Sequence, residues 1–124
     1  MDQRVAHAIR RMEESIDRDV PVPELAAAVN LSTSRFAYLF RRETGVPPAR
    51  YLRDLRMERA RQLLERTFLS VKEVMAFVGI NDPSHFSRDF RRRHGVAPTR
   101  LRTRSWAADE WRGRNPSEDK RNGP

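Results

Sequence analysis

Apolar residues recur at helical intervals along most of this 124-residue chain, and no stretch alternates as a half-buried strand would. Val5, Ala8, Ile9, Met12 and Ile16 mark an amphipathic helix over roughly 3–18. Pro21 and Pro23 stiffen the approach to a short helix over 24–29, which Asn30 ends by taking the left-handed conformation. Ser32 caps a third helix over about 33–44, closed by Gly45. Pro48 suits the first turn of a long fourth helix to about Glu65, with Tyr51, Leu52, Leu55, Ala60, Leu63 and Leu64 as its apolar face. Ser70 and Glu73 spell a capping box for a helix through Val78, stopped by Gly79. Asp82 and Pro83 open a sixth helix to about Arg93, Gly95 ends it, and Pro98 begins a last one to about Ala108. The pattern predicts an all-α fold. Residues 109–124 are polar and rich in helix breakers, and are expected to form a disordered tail dispensable for recognition.

The second half of the pattern replays the first. Residues 34–50 laid on 84–100 share nine identities in seventeen positions: Ser34/Ser84, Phe36/Phe86, Phe40/Phe90, Arg41/Arg91, Arg42/Arg92, Gly45/Gly95, Val46/Val96, Pro48/Pro98 and Arg50/Arg100. Upstream the shift falls to forty-nine, pairing Ala27 with Ala76 and Val29 with Val78, so the second copy carries one extra residue near Asn81 and Asp82. Two copies are too few for a solenoid. A short helix, a turn and a capped second helix make a helix-turn-helix, and the chain has two. They are expected over 1–46 and 67–108, with 47–66 as a linker helix.

Charge narrows the partner. The formal net charge is +8, distributed as −2 over residues 1–31, +5 over 32–66, +5 over 67–108 and 0 over 109–124. The excess therefore sits on the two repeats and points to a polyanion, most simply double-stranded DNA. Arginine supplies 23 of the 25 cations, a choice suited to phosphate and guanine forks. A coding bias toward arginine would not confine the excess to the repeats. The absence of cysteine excludes disulfides, thiolate zinc sites and thiol nucleophiles. His7, His85 and His94 are too separated for a convincing metal set, Glu13 and Glu14 have no partner base, and no cofactor or catalytic residue is expected. Without a signal-peptide core or a membrane-length apolar run, the chain reads as cytoplasmic and nucleoid-associated.

A helical projection separates core from DNA face. Phe36 and Phe40 lie together with Leu39 and Glu43, while Ser34, Tyr38 and Arg41 fall opposite. In the second copy Phe86 and Phe90 point inward, and Ser84, Arg88 and Arg91 outward. Arg35, Arg42, His85 and Arg92 flank these stripes. Arg35, Arg41, Arg42, Arg91 and Arg92 are candidates for phosphate contact. Ser32 and Asp82 join them because free amides at a helix start can also meet phosphate. The long helix, about eighteen residues, sets recognition helices about 34 Å apart, near one turn of B-DNA.

These segments resemble the DNA-binding domain of the AraC/XylS family. The likeness runs through Leu25 to Gly45, Tyr51 to Arg56 with Arg59 and Ala60, Val74 to Gly79, and Ser84 to Pro98, across about residues 3–103. It implies a seven-helix monomer, two helix-turn-helix subdomains on a rigid linker helix, and sequence-specific transcriptional control. By position it assigns base-facing roles to Ser34, Ala37 and Tyr38 in the first copy, and to Pro83, Ser84, His85 and Arg88 in the second. Met75 stands where a small residue is usual, and Ile80 where Phe is usual. RNA polymerase is a candidate second partner, which leaves open a polymerase-recruiting module that touches DNA weakly. Repair methyltransferases that carry such a domain need an acceptor cysteine, which this chain lacks. Met1 directly before a helix mildly favours a stand-alone regulator over the C-terminal part of a longer ligand-sensing one.

Overall fold

A computed structural model describes residues 1–102 of the chain. Its elements run α1 (Gln3–Glu14), α2 (Val22–Ala28), α3 (Thr33–Thr44), α4 (Pro48–Arg66), α5 (Val71–Phe77) and α6 (Pro83–His94). Residues 98–102 open the seventh helix, α7. No strand occurs among the described residues. The expected tail at 109–124 and the end of the last helix lie outside them.

Local signals placed most of the boundaries. Ser32 Oγ accepts from the Arg35 amide, and Ser70 with Glu73 forms the reciprocal capping box. Asn30, Gly45, Gly79 and Gly95 all take left-handed φ. The first helix is the exception: it stops at Glu14 instead of running to about 18, with the Ser15 amide bonded to the Arg11 carbonyl. Ile16 keeps the apolar spacing from within the following turn, where it is buried by tertiary contact rather than by the helix face. The second helix starts two residues earlier than the pattern suggests, at Val22, because Pro21 serves as its N-cap residue.

The repeat is structural as well as sequential. The centroids of Phe36 and Phe40 lie 5.7 Å apart with planes at 47°, and those of Phe86 and Phe90 lie 5.6 Å apart at 48°. Gly45 and Gly95 each donate 2.8 Å to the carbonyls of Arg41 and Arg91. In the turns, Leu31 N–H reaches Ala26 O and Ile80 N–H reaches Met75 O, each at 3.0 Å.

Helix α4 belongs to both cores. Its Tyr51, Leu52 and Leu55 pack on the cluster built from Val5, Ala8 and Met12 of α1, Leu25 and Ala26 of α2, and Phe36 and Phe40 of α3. Its Met57, Ala60 and Leu64 enter the second cluster with Val74, Met75, Val78, Phe86 and Phe90. Met75 and Ile80, which depart from the family pattern, are accommodated in that second core.

The modules are also fastened directly. Arg56 Nε donates to the Ile16 carbonyl at 2.9 Å, and its Nη2 to the Arg18 carbonyl at 2.7 Å. A Cβ at Gly79 would lie 2.8 Å from the Asp17 carbonyl oxygen, so the α5–α6 turn abuts the turn after α1. Arg93 pairs with Asp54 at 3.2 Å, and His94 Nε2 donates to the Met57 carbonyl at 3.2 Å. His94, the last residue of α6, is half-buried with its ring 4.5 Å from that of Phe90. Arg102, 6% exposed, donates to the carbonyls of Thr67 and Leu69, tying the start of α7 to the α4–α5 loop.

Candidate DNA interface

Both recognition helices, α3 and α6, are twelve residues long, and each turns two phenylalanines inward. Opposite those rings lie Ser34 and Tyr38 on α3, and Ser84 and Arg88 on α6, all exposed. Tyr38 is 70% exposed, unusual for so large a side chain and sterically free for a groove. Ala37 is half-buried beside them, and Pro83 and His85 are exposed at the start of α6.

The structure gathers the predicted residues unequally. Ser34, Arg35, Tyr38 and Arg42 line one surface groove of about 430 Å³ together with Arg4, Leu31 and Leu39. In the second module the flanking residues divide. Arg91 borders a recess with Arg100, while Arg92 borders another with Arg50 and Arg53. His85 turns toward the cleft between the modules, and its Nε2 lies 2.9 Å from Asp89 Oδ2.

The electrostatics follow from what each arginine holds. Arg4, Arg11, Arg61 and Arg93 are tied to carboxylates, and Arg56 and Arg102 to backbone carbonyls. Among the described residues no ion pair or side-chain hydrogen bond holds Arg35, Arg41, Arg42, Arg88, Arg91 or Arg92. All six are exposed. Their charge is available to a polyanion without breaking an internal contact, and a contact already made would have to be surrendered first.

One expectation is revised by the caps. The amides at the start of α6 are not free: Asp82 Oδ1 accepts from Ser84 N–H at 3.0 Å and His85 N–H at 3.1 Å, and Pro83 has none. Asp82 therefore offers a carboxylate where a phosphate contact was expected, and it holds the helix start in place instead. In α3 the Ser32 cap engages only the Arg35 amide, at 3.2 Å. Glu43, projected to the core side, is exposed and accepts from the Asp2 amide.

Sequence reasoning missed Asp89, Arg56 and Arg102, whose partners are distant or were assigned elsewhere. The i, i+4 spacing of His85 and Asp89 was the one available signal. Arg50 and Arg100 were matched as repeat identities and given no role, although both are exposed beside the recognition helices.

Two polar stripes with unengaged arginines, each on the second helix of a helix-turn-helix, define a DNA-binding double helix-turn-helix domain. Comparison with known proteins gives the particular family. A family model described as a helix-turn-helix domain matches residues 25–104. The HTH-type transcriptional regulator GbdR of Pseudomonas aeruginosa is 34% identical over 95 residues, covering 77% of this chain and 26% of GbdR. A transcriptional regulator from Chromobacterium violaceum, described as of the AraC-type DNA-binding-domain class, superposes with TM-score 0.76 at 28% identity, over 83% of this chain and 92% of that one. The DNA-binding domain of the global transcriptional factor AdpA, solved in complex with a target DNA, gives TM-score 0.75 at 30% identity, over 90% and 96%. The chain belongs to the AraC-type helix-turn-helix family of transcription regulators. It spans about a quarter to a third of the length of the curated relatives it matches. Among the described residues no helix is long and apolar enough to cross a membrane.

Proposed function

We propose that this chain reads one asymmetric DNA site as a monomer, with α3 and α6 in successive major-groove segments on one face of the duplex. The observation that carries the reading is the pair of equal recognition helices on one shared α4, each exposing a polar stripe beside unengaged arginines. Ser34, Ala37 and Tyr38 read one segment; Pro83, Ser84, His85 and Arg88 read the other. Ala37 and Pro83 contribute shape and apolar contact, the others hydrogen bonds. Ser32, Arg35, Arg41, Arg42, Arg91 and Arg92 hold the backbone on either side. Its work is binding, not catalysis, and its place is with the nucleoid in the cytoplasm. The much greater length of the curated relatives leaves room for a ligand-sensing domain in the natural protein, for which this chain would be the DNA-reading part.

Selection from a random duplex pool tests this. A bound site of about 20 base pairs, with two informative segments about one turn apart, is the expected result. Equal affinity for random and selected duplexes across a salt series would overturn it.

A second reading, a surface for RNA polymerase, is favoured by Phe68 and Phe77. These aromatics stay 82% and 58% exposed on the second module, outside the stripes of α3 and α6. Phe77→Ser with unchanged DNA affinity but reduced transcription in a purified system would separate that contact from DNA recognition.

A further inference from the structure

His85 is one of only three histidines, and it sits where a base-reading side chain is expected on α6. Its Nε2 lies 2.9 Å from Oδ2 of Asp89, one turn along the same helix. The His85 side chain is 54% exposed and that of Asp89 only 16%, so the carboxylate is the fixed partner and the ring the accessible one. Among the described residues no other ion pair engages Asp89, and the neighbouring Arg93 is turned to Asp54.

A carboxylate oxygen at that distance requires a hydrogen on Nε2. A neutral imidazole carries one hydrogen, so Nδ1 is left as an acceptor. In the major groove an acceptor meets the exocyclic amino groups, N6 of adenine or N4 of cytosine, and is repelled by O6 and N7 of guanine and O4 of thymine. We propose that Asp89 is a specificity-determining positioning residue: it fixes the tautomer of His85, so that Nδ1 selects a base bearing a major-groove amino group. The inference rests on the base-facing role of His85 proposed above.

The charged groups bordering the cleft at His85 are Asp19 from the segment before α2, Arg53 and Arg56 from α4, Asp82 at the cap of α6 and Asp89 within that helix. The turn over 79–81 adds none. Arg56 is already committed to the Ile16 and Arg18 carbonyls, and Asp82 to two amides.

Two measurements on the full chain test this. Nitrogen-15 spectra of the histidine rings in the free protein, at a pH where His85 is neutral, should show the hydrogen on Nε2. A hydrogen on Nδ1 would overturn the proposal, and that spectrum needs no variant. Selection from random duplexes should then show a preference of about tenfold for adenine or cytosine at one position. Asp89→Ala should lose that preference while keeping those set by Ser84 and Arg88, and Asp89→Glu should restore it. If His85→Ala removes a base preference that Asp89→Ala retains, the tautomer role fails while the base-reading role stands. If His85→Ala alters no preference, both fail.

Discussion

Arg88 projects from α6 one turn beyond Ser84, and the acid beside it, Asp89, is taken by His85. With no ion pair or side-chain hydrogen bond among the described residues, Arg88 can present its whole fork to a guanine, a contact worth about 1–3 kcal/mol of discrimination. Arg42 and Arg92 flank the stripes, and the role proposed for them is contact with the backbone. Arg88→Ala is therefore expected to relax preference at one base pair. Arg42→Ala and Arg92→Ala should weaken binding to every sequence and reduce the salt slope by about one unit each. A panel of single-base operator changes measured at several salt concentrations checks both. Uniform loss across the panel for Arg88→Ala would assign it to phosphate. Away from the interface, hydrogen bonds from the Ser70 amide and hydroxyl hold the Glu73 carboxyl below its ordinary value. A carboxyl lowered on folding stabilises the fold above its unfolded value, and that contribution is lost as pH falls through the folded one. Glu73→Gln keeps the cap's hydrogen-bond geometry without the charge. Its melting temperature should lie below wild type at neutral pH and converge with it in the acid range below the ordinary carboxylate value.

At the scale of the elements, four left-handed residues end helices among the described residues, but they are not equivalent. Gly45 has nothing within 4 Å of where a Cβ would stand, whereas at Gly79 the Asp17 backbone already occupies that space. Gly45→Ala should cost only the left-handed conformation, about 1–2 kcal/mol. Gly79→Ala should cost at least about 1 kcal/mol more, because backbone must move. Urea midpoints of the two variants compare them, and equal losses would show that the α5–α6 turn does not depend on that approach. The contrast also explains what could be read in advance. Ser32, the Ser70–Glu73 box, Asp82–Pro83 and the glycines at 45 and 95 act on neighbours within four residues, so the helices they bound were legible. The inward phenylalanines and outward polar stripes followed from helical spacing, again a local property. Ile16 misled because its burial comes from tertiary contact. Arg56 on the Ile16 and Arg18 carbonyls, and Arg102 on Thr67 and Leu69, join residues more than thirty apart. Nothing in local spacing marks such an arginine off from the solvent-facing ones. Asp82 was misjudged for a different reason: its cap was recognised, but the cap's own use of the amides was not set against phosphate binding.

At the scale of the whole molecule, α4 and the turn after α1 determine how the two readers stand to each other. The nineteen residues of α4 span about 28 Å at ~1.5 Å per residue, compatible with recognition helices one turn of B-DNA apart. Inserting five base pairs between the two contacted segments should carry one of them to the far face of the duplex and abolish tight binding. Inserting a full turn should not restore it, because the protein cannot stretch to follow. Retained affinity on the five-base-pair site, measured by gel shift at fixed salt, would show that the modules dock independently.

The clamp of Arg56 and the close approach at Gly79 have a further consequence for how affinity is divided. Two readers on a loose tether search separately, and the second finds its segment at a concentration set by the tether's length. Here the orientation entropy is spent when the chain folds, so docking α3 presents α6 to its segment at once, at an effective concentration no flexible linker of that span could reach. Joint binding can then exceed either half by about 10²–10⁴-fold with no additional contact. Each half can accordingly be individually weak. A genome's many partial matches to one segment would hold this chain only briefly, and residence would be reserved for sites carrying both segments in phase.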